Sequence, residues 1–417
     1  MAFEEITALL GGWEGFEVVG VRREDVTSSQ PVPQIILELR SLPLYPKRCS
    51  RCGEVVVEMH DVTERRVRDL PILEAETWIV FPRARLQCPR CGPTVEAVPW
   101  LDRYQRMTTR LAAAIARLAM VLPLNHVAAW FRVSWTTVKQ IDHRALVRRL
   151  GPMDLSGVRI IAIDEFAIQR GHRYATVVVE PATKRVLWVG RGRGREDLRP
   201  FFTLLGPAGC ARLEAVVMDM SPSYVAEVRA HCPQVTIVYD LFHIVAKFGR
   251  DVVDRVRVAE TNRIARSRPN DAKTRARRRL IKGTRWLLLR NRENVTRPAD
   301  RIRLRELLAA NRALFTVYVL KDDLKQLWRY HYPAAALRFW ADWYRRAIAS
   351  RIPPLQDFAR HLAMRIDGVI AHCRHPLHTG LLEGINNKIK VLKRMAYGFR
   401  DDAYFFLKIR AAFPGIR

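Results

Sequence analysis

The sequence predicts a multidomain α/β protein whose first part is β-rich and binds a metal. Three observations lead to this prediction. The chain has 417 residues, 49% of them hydrophobic, which is enough for two to four domains and excludes disorder throughout. Two cysteine pairs with identical spacing lie within residues 46–100. Beyond residue 156, apolar strand-like runs alternate with helical stretches.

The first 45 residues contain two apolar pieces, "FEVVGV" and "QIILEL", separated by the polar segment "TSSQPVP". Runs of β-branched residues bounded by Pro and Ser are typical of short strands. We therefore expect residues 1–45 to form a strand-forming arm.

Residues 46–100 predict a zinc-finger domain. Cys49 and Cys52 lie in "CSRCG", and Cys88 and Cys91 lie in "CPRCG". A glycine after the second cysteine permits the sharp turn that brings two thiolates to one ion, and four thiolates complete a tetrahedral structural zinc site. The strand-like "ETWIVFPRARLQ" fills the gap between the pairs. The alternative is four free cysteines in a β-rich domain, but two matched units favour one zinc ion.

Residues 101–150 predict a helix-turn-helix domain. The stretches "TRLAAAIARLAMVL", "NHVAAWF" and "SWTTVKQIDHRALVRRL" read as three helices, the third with Ser134 as N-cap. In the third helix Val138, Ile141 and Ala145 share an inward stripe. The side chains expected to point outward, towards base edges in a major groove, include Thr136, Lys139 and Gln140. The alternative is an ordinary three-helix packing unit.

Residues 156–245 predict the element order βββαβαβ. The first three strands are "VRIIAIDEF", "RYATVVVE" and "KRVLWVG", which short turns connect. The helix "REDLRPFFTLL" precedes the strand "LEAVVMDM", and the helix "SPSYVAEVRAHC" precedes "VTIVYDLFH". Sequential strands form an antiparallel meander, and the later strands join through helical crossovers.

Residues 246–375 predict a basic helical insertion, because strand patterns are absent from this part of the sequence. Its tryptophans Trp328, Trp340 and Trp343 follow a helical stripe and are expected to pack between helices rather than to stack on bases.

Residues 376–417 contain the stretch "HTGLLEGINNKIKVLKRMAYGF", which predicts one helix over 378–399. At 100° per residue, Glu383, Asn387, Lys390 and Arg394 fall on one face. The opposite, packed face is expected to carry Ile385, Ile389, Leu392 and Ala396.

Three acids in this basic chain require an explanation. Asp164 is expected to end the first strand, Asp219 follows "AVVM", and Glu383 projects from a late helix. A carboxylate at the end of a buried strand is costly unless it is paired or holds a cation. Three converging carboxylates can hold two magnesium or manganese ions, which clamp the attacking and leaving oxygens of a phosphodiester displacement. The alternative is that each aspartate only starts a turn or caps a helix.

The net charge indicates the partner. With 71 Lys and Arg against 42 Asp and Glu, the formal charge is +29, which favours a polyanionic partner and most simply nucleic acid. A generally basic proteome is the alternative. The longest apolar run, over 111–124, is too short to span a bilayer and contains Arg117, and the first thirty residues lack a secretory leader. We expect a cytoplasmic protein without a membrane partner.

Together these motifs resemble the DDE transposases of bacterial insertion sequences, specifically the ISL3 type with an N-terminal zinc finger. The blocks that carry the resemblance are "IDEFAIQRGHRYATVV", "VVMDMSPSY", "VYDLFH" and "EGINNKIKVLKRMAYGFRD". The resemblance implies an RNase H-like mixed sheet in two parts, residues 156–245 and 376–417, with the helical insertion 246–375 between them. It implies a catalytic triad of Asp164, Asp219 and Glu383, supported by Asp240 and His243.

The resemblance also implies the activity. We expect binding to terminal inverted repeats, followed by metal-dependent strand cleavage and strand transfer. The protein is expected to act as a homodimer or larger assembly on double-stranded DNA, which comprises the element ends and the target DNA, at the bacterial nucleoid. Asn387, Lys390 and Arg394 are expected to contact this DNA. One departure is the lead-in "HTGLLEG", where His378 and Gly380 replace a more polar pattern. Two alternatives stay open: a DNA-binding regulator with an inactive nuclease-like domain, and a metal-dependent nuclease or resolvase-type enzyme.

Overall fold

The computed structural model describes residues 10, 12–28, 30–169, 171, 173–267, 271–290, 292–376 and 380–416. The chain divides into two compact units, Met1–Arg149 and Leu150–Arg417. Each unit has its own sheet and hydrophobic core, so each is described by itself.

The first unit contains a five-stranded sheet. Its strands are β1 (Phe16–Glu24), β2 (Gln34–Ser41), β3 (Met59–Ile72), β4 (Ala75–Cys88) and β5 (Gly92–Val95). They lie in the order β1-β2-β4-β3, with β5 paired to β4. The two predicted strands of the N-terminal arm are confirmed, and β2 pairs directly with β4 in parallel. The predicted boundary between residues 45 and 46 therefore runs through one continuous sheet.

Three helices complete the first unit: α1 (Thr109–Ala119), α2 (Leu124–Phe131) and α3 (Trp135–Leu150). Arg132 ends α2 in the left-handed region, with φ 51°. The predicted cap is confirmed, because the Thr137 N–H donates to Ser134 Oγ at 3.1 Å. Val138 and Ile141 are buried as predicted, whereas Ala145 is half-buried and Leu146 takes the inward position beside it.

The second unit is built on a mixed sheet with the predicted order βββαβαβ. Its strands are β6 (Ile160–Gln169), β7 (Arg173–Glu180), β8 (Arg185–Arg191), β9 (Ala215–Met218) and β10 (Thr236–Tyr239). They lie in the order β10-β9-β6-β7-β8, where β6, β7 and β8 are antiparallel and β9 and β10 run parallel to β6. The crossovers are α4 (Arg195–Arg212), which kinks at Gly206 with φ 70°, and α5 (Pro222–His231).

Between the two parts of this unit, the described residues of 246–375 contain helices and no strand, as predicted. The chain passes from α6 (Leu241–Phe248) through a π-helical stretch (Gly249–Asp254) into α7 (Arg255–Ser267), α8 (Ala272–Lys282), α9 (Arg285–Leu289), α10 (Pro298–Ala310), α11 (Arg312–Gln326), α12 (Pro333–Ala349), α13 (Pro353–Ala363) and α14 (Ile366–Ile370). Trp340 and Trp343 are buried and stack at 5.2 Å between centroids, and the half-buried Trp328 stacks on His372. The packing role of these tryptophans is confirmed.

Two helices close the second unit, α15 (Gly380–Met395) and α16 (Asp402–Ala412). Residues 378 and 379, where the predicted helix begins, lie outside the described residues. The helix ends at Met395 rather than at 399, because Tyr397 (φ 53°) and Gly398 (φ 98°) turn the chain into the left-handed region. Sequence reasoning missed α16. Both helices pack on one face of the sheet through Leu382, Ile385, Ile389, Phe405 and Ile409.

Candidate active site and metal centre

Strand register brings three aspartates to one edge of the second sheet. Ala162 of β6 is paired with Val217 of β9, so the same register continued by two residues sets Asp164 level with Asp219. Met218 is paired with Tyr239 of β10, which sets Asp219 level with Asp240 in the same way. Asp219 and Asp240 therefore directly follow the carboxyl ends of β9 and β10, and Asp164 lies level with them within β6. Open α/β sheets place their sites at this end of the strands.

Asp164 differs in one respect from the prediction. It does not end its strand, because β6 continues to Gln169 through its pairing with β7. The pairing of β6 with β9 stops at Ala162, so Asp164 lies just beyond the shorter neighbour and its carboxylate is free of that strand. Asp164 as a whole is 5% exposed.

Asp219 and Asp240 occupy different environments. The Asp219 side chain is 46% exposed, and its Oδ1 accepts a hydrogen bond from the Met220 N–H. Asp240 is 2% exposed and caps α6, where its Oδ1 accepts from the Phe242 N–H at 2.8 Å. Burial raises the pKa of Asp240 to about 6, although that hydrogen bond and His243 oppose the shift.

His243 lies between the three aspartates. Its Nε2 is 3.5 Å from Asp164 Oδ1 and 3.9 Å from Asp240 Oδ2, and its Nδ1 is 3.8 Å from Asp219 Oδ2. Burial alone would lower the pKa of His243, but the hydrogen bond to Asp164 and the three negative charges outweigh it and raise the pKa to about 9. The imidazole therefore offsets part of the negative charge of the cluster.

Helix α15 contributes the remaining candidate acid. Glu383 lies in its first turn and is exposed. One turn later, Asn386 donates from Nδ2 to Asp164 Oδ2 at 2.6 Å, and Lys393 donates to the Ala167 carbonyl of β6 at 3.0 Å. The helix of Glu383 is thus attached to the strand of Asp164 at two points.

The carboxylates are not drawn into one tight group. Among the described residues, only the four cysteines form a set of three or more His, Cys, Asp or Glu side chains whose ligand atoms all lie within 4.8 Å of one another. The triad of Asp164, Asp219 and Glu383 therefore stays a prediction. Glu165 is a poorer candidate than Asp164, because alternate side chains of a strand point to opposite faces and its carboxylate is paired with Arg193 at 3.2 Å.

Sequence reasoning missed Asn386, which contacts Asp164 directly. It assigned a DNA contact to the next residue, Asn387, which is exposed. The helical spacing contained the information, since residues three apart lie on the same side of a helix and Asn386 follows Glu383 by three. The strand that it meets could not be predicted, because the contact joins positions 222 residues apart.

The four cysteines form the candidate metal centre of the first unit. Cys88 ends β4, and Cys52 Sγ lies 3.6 Å from Cys88 Sγ. Gly53 (φ 77°) and Gly92 (φ 68°) adopt the left-handed conformation expected after each pair. Cys49 and Cys88 are buried, and Cys52 and Cys91 are half-buried. Four sulfurs within 4.8 Å of one another fit the tetrahedral thiolate set that zinc takes in structural sites.

The pKa of Cys49 supports thiolate chemistry at this centre. Burial raises it, but backbone N–H groups of Cys52 and Arg51 and the neighbouring cysteines more than compensate, and the pKa falls to about 6. The neighbouring cysteines in turn raise the pKa of Cys52 and Cys91, so one thiolate forms readily and its charge opposes ionisation of the others. The assignment of a metal centre therefore rests on the geometry of the four sulfurs.

The predicted DNA-contacting side chains are accessible. On α3, Thr136 and Gln140 are exposed, and the half-buried Lys139 holds its amine 5.6 Å from the Trp135 ring centroid. On α15, Asn387, Lys390 and Arg394 share the exposed face with Glu383, as the helical count predicts. In the described part of the chain, no helix combines the length and apolar character needed to cross a bilayer.

Comparison with known protein families gives three matches in chain order. The zinc-finger model of the transposases IS204/IS1001/IS1096/IS1165 matches residues 46–91. The helix-turn-helix domain of transposase family ISL3 matches residues 96–146. The ISL3 DDE model, described as a transposase, matches residues 161–409.

Two curated relatives are similar over most of their length. The chain is 48% identical to the transposase for insertion sequence element IS1001 of Bordetella parapertussis, over 97% of each chain. It is 30% identical to the transposase for insertion sequence element IS1557 of Mycobacterium tuberculosis, over 88% of this chain and 86% of the relative.

Proposed function

Because this chain belongs to the ISL3 family of transposases, we propose that Asp164, Asp219 and Glu383 are its catalytic acids. The resemblance stated from the motifs is confirmed, and the protein is a DNA-binding transposase that cleaves and transfers DNA strands. The observation that carries the residue assignment is the strand register, which aligns Asp164 and Asp219 on neighbouring parallel strands. The inclusion of Glu383 is supported by its position in the first turn of the helix that contacts β6.

These residues fit a site for hard divalent cations. Asp164 and Asp219 offer carboxylate oxygens from rigid strands, and Glu383 offers one from α15, which are the ligands that magnesium and manganese prefer. Two such ions, when bound, stabilise the attacking and leaving oxygens during phosphodiester displacement. The two strands fix the spacing of their acids, while the exposed Glu383 side chain can approach the DNA backbone and the cations together.

Asp240 and His243 act as supporting residues. His243 contacts all three aspartates, so its charge keeps the carboxylates together before cations and DNA arrive. Asp240 holds α6 in place through its capping hydrogen bond to Phe242. Neither residue needs to touch the reacting phosphate in this account.

The remaining parts of the chain bind DNA. One structural zinc ion stabilises the zinc-finger domain of residues 46–100 and is held by Cys49, Cys52, Cys88 and Cys91. In the helix-turn-helix domain of residues 101–150, Thr136, Lys139 and Gln140 of α3 read the terminal inverted repeats. Asn387, Lys390 and Arg394 hold the backbone of element or target DNA beside the catalytic domain, whose two parts are residues 156–245 and 376–417. Two or more copies assemble on the DNA, because both element ends must be cut and joined.

The test is magnesium-dependent cleavage of terminal-repeat DNA by Asp164→Asn, Asp219→Asn and Glu383→Gln. Each change keeps the shape of the side chain and removes its charge, so cleavage and joining are lost while binding to the DNA end is kept. Glu165→Gln serves as the matched control on β6 and retains cleavage. If Glu383→Gln cleaves near the wild-type rate while Glu165→Gln does not, Glu165 replaces Glu383 in the assignment.

A further inference from the structure

We propose that Asn386 is a positioning residue that orients the Asp164 carboxylate and sets the helix of Glu383 against it. This inference rests on the catalytic role proposed for Asp164 and Glu383. Its basis is the 2.6 Å hydrogen bond from Asn386 Nδ2 to Asp164 Oδ2, which joins positions 222 residues apart in the chain.

The orientation of the Asn386 amide follows from chemistry. An ionised carboxylate only accepts hydrogen bonds, so the NH₂ group must face Asp164. The amide oxygen Oδ1 is then buried, without a hydrogen-bond partner among the described residues. A buried unpaired carbonyl is destabilising, and an apolar side chain of the same shape would avoid this cost. The hydrogen bond to Asp164 is therefore what asparagine provides at this position and an apolar residue of the same shape does not.

The hydrogen bonds that the Asp164 carboxylate accepts fix its orientation. Oδ1 accepts from the Glu165 N–H at 2.8 Å and lies 3.5 Å from His243 Nε2, while Oδ2 accepts from Asn386. Each carboxylate oxygen has two lone pairs, so Oδ2 keeps one for a cation. Outer partners of this kind fix the direction of a metal-binding carboxylate.

The second contact of α15 with β6 gives the direction of the helix. Asn386 and Lys393 are seven residues apart, or about 10.5 Å along a helix. Their partners Asp164 and Ala167 are three residues apart, or about 10 Å along a strand. Because the two contacts occur in the same order along both elements and at similar spacing, α15 runs beside β6 in the same direction. The Glu383 Cα then lies about 4.5 Å before that of Asn386 along the helix axis, less than one turn from the residue that contacts Asp164.

The decisive variant is Asn386→Leu, because leucine has nearly the shape of asparagine but lacks both polar atoms. It removes the donor to Asp164 and also the unpaired buried oxygen. If Asn386 only stabilised the fold, its loss would lower the melting temperature and leave cation affinity unchanged. A positioning role predicts the opposite: an undiminished melting temperature, unchanged affinity for terminal-repeat DNA, and weaker binding of cations.

The measurement is calorimetric titration of Mn²⁺ into the full-length protein on uncleaved terminal-repeat DNA, together with the Mg²⁺ dependence of cleavage. We expect Asn386→Leu to raise the Mn²⁺ dissociation constant and the half-saturating Mg²⁺ concentration about 10–100-fold, as losses of such outer partners do. Val391→Ala, an exposed change on the same helix, should leave DNA binding and both cation values unchanged.

Unchanged Mn²⁺ affinity and Mg²⁺ dependence in a folded Asn386→Leu protein would overturn the proposal. If the leucine variant does not fold, Asn386→Ala, which only removes atoms, is measured in its place. The outcome is separable from that of the catalytic assignment. Inactive Asp164→Asn with a normal Asn386→Leu refutes only the positioning role, whereas active Asp164→Asn refutes the assignment on which it rests.

Discussion

At the scale of single residues, one buried lysine in the helical part of the second unit carries a charge that burial disfavours. Lys321 on α11 is 1% exposed and donates to the carbonyls of Leu288 at 2.7 Å and Arg290 at 2.8 Å. These carbonyls end α9, where a cation is favourable. Burial nevertheless lowers the pKa of Lys321 to about 8, against the raising effect of Asp322.

The lowered pKa predicts how stability depends on pH. Below pH 8 the folded and unfolded states both bind the proton, but between pH 8 and 10.5 only the unfolded state binds it. The contribution of Lys321 to the free energy of unfolding therefore increases as pH rises through this window. We expect the wild-type free energy of unfolding, minus that of Lys321→Met, to grow by about 1–3 kcal/mol from pH 8 to 10 in urea titrations. A difference that stays constant with pH would contradict this account.

The role of a single residue could be predicted from the sequence only where its interaction partners lie close to it in the chain. The Ser134 cap and the glycines after each cysteine pair were predictable, because their partners lie within three residues. The position of Asp164 inside β6 was not, since it depends on how far β7 pairs along β6. Asn386 was missed for the same reason, because its partner lies on a distant strand.

At the scale of elements, the order βββαβαβ was predictable because each strand is an apolar run bounded by turn residues. Helix α16 was missed, although Asp401 caps it by accepting from the Tyr404 N–H at 3.1 Å. Its polar and apolar residues are not strongly separated onto opposite faces of the helix. The burial of Phe405 and Ile409 is explained only by the sheet on which they pack. Tertiary packing, rather than helical periodicity, determines this element.

The cysteine-bearing turns beside β4 give a prediction at the same scale. Cys88→Ser removes one of four thiolates, so we expect its zinc content to fall from one ion per chain to near zero and the first unit to melt at a lower temperature, because structural zinc contributes folding energy. Atomic absorption and calorimetry supply the two measurements. Cys373→Ser, which changes a half-buried cysteine of the second unit, keeps its zinc. Full zinc occupancy in Cys88→Ser would exclude this metal site.

At the scale of the whole molecule, the net charge and the fold contribute to DNA binding in different ways. A net charge of +29 favours binding to the phosphate backbone without reading sequence, whereas the base contacts are proposed to come from α3. Composition was sufficient to predict the polyanionic partner. It could not predict that the N-terminal arm shares a sheet with the zinc-finger region, because strand pairing between β2 and β4 is non-local.

This division predicts two kinds of DNA-binding variant. Lys139→Ala and Gln140→Ala should each weaken binding to terminal-repeat DNA by about 1–3 kcal/mol and barely affect random DNA, because they remove base contacts. Changing the exposed Arg275, Arg277 and Arg279 of α8 to alanine should weaken both alike and lower the salt dependence of binding. Equal losses on the two DNAs for the α3 variants would rule out base readout by this helix.

The most direct test of the central claim is the location of Mn²⁺ by anomalous scattering in crystals of the protein bound to terminal-repeat DNA. We predict two ions about 3.5–4 Å apart, with Asp164, Asp219 and Glu383 supplying the protein ligands and Asn386 contacting Asp164 without touching either ion. Ions held instead by Glu165 or Asp240, with Glu383 turned away from them, would contradict the proposed catalytic site.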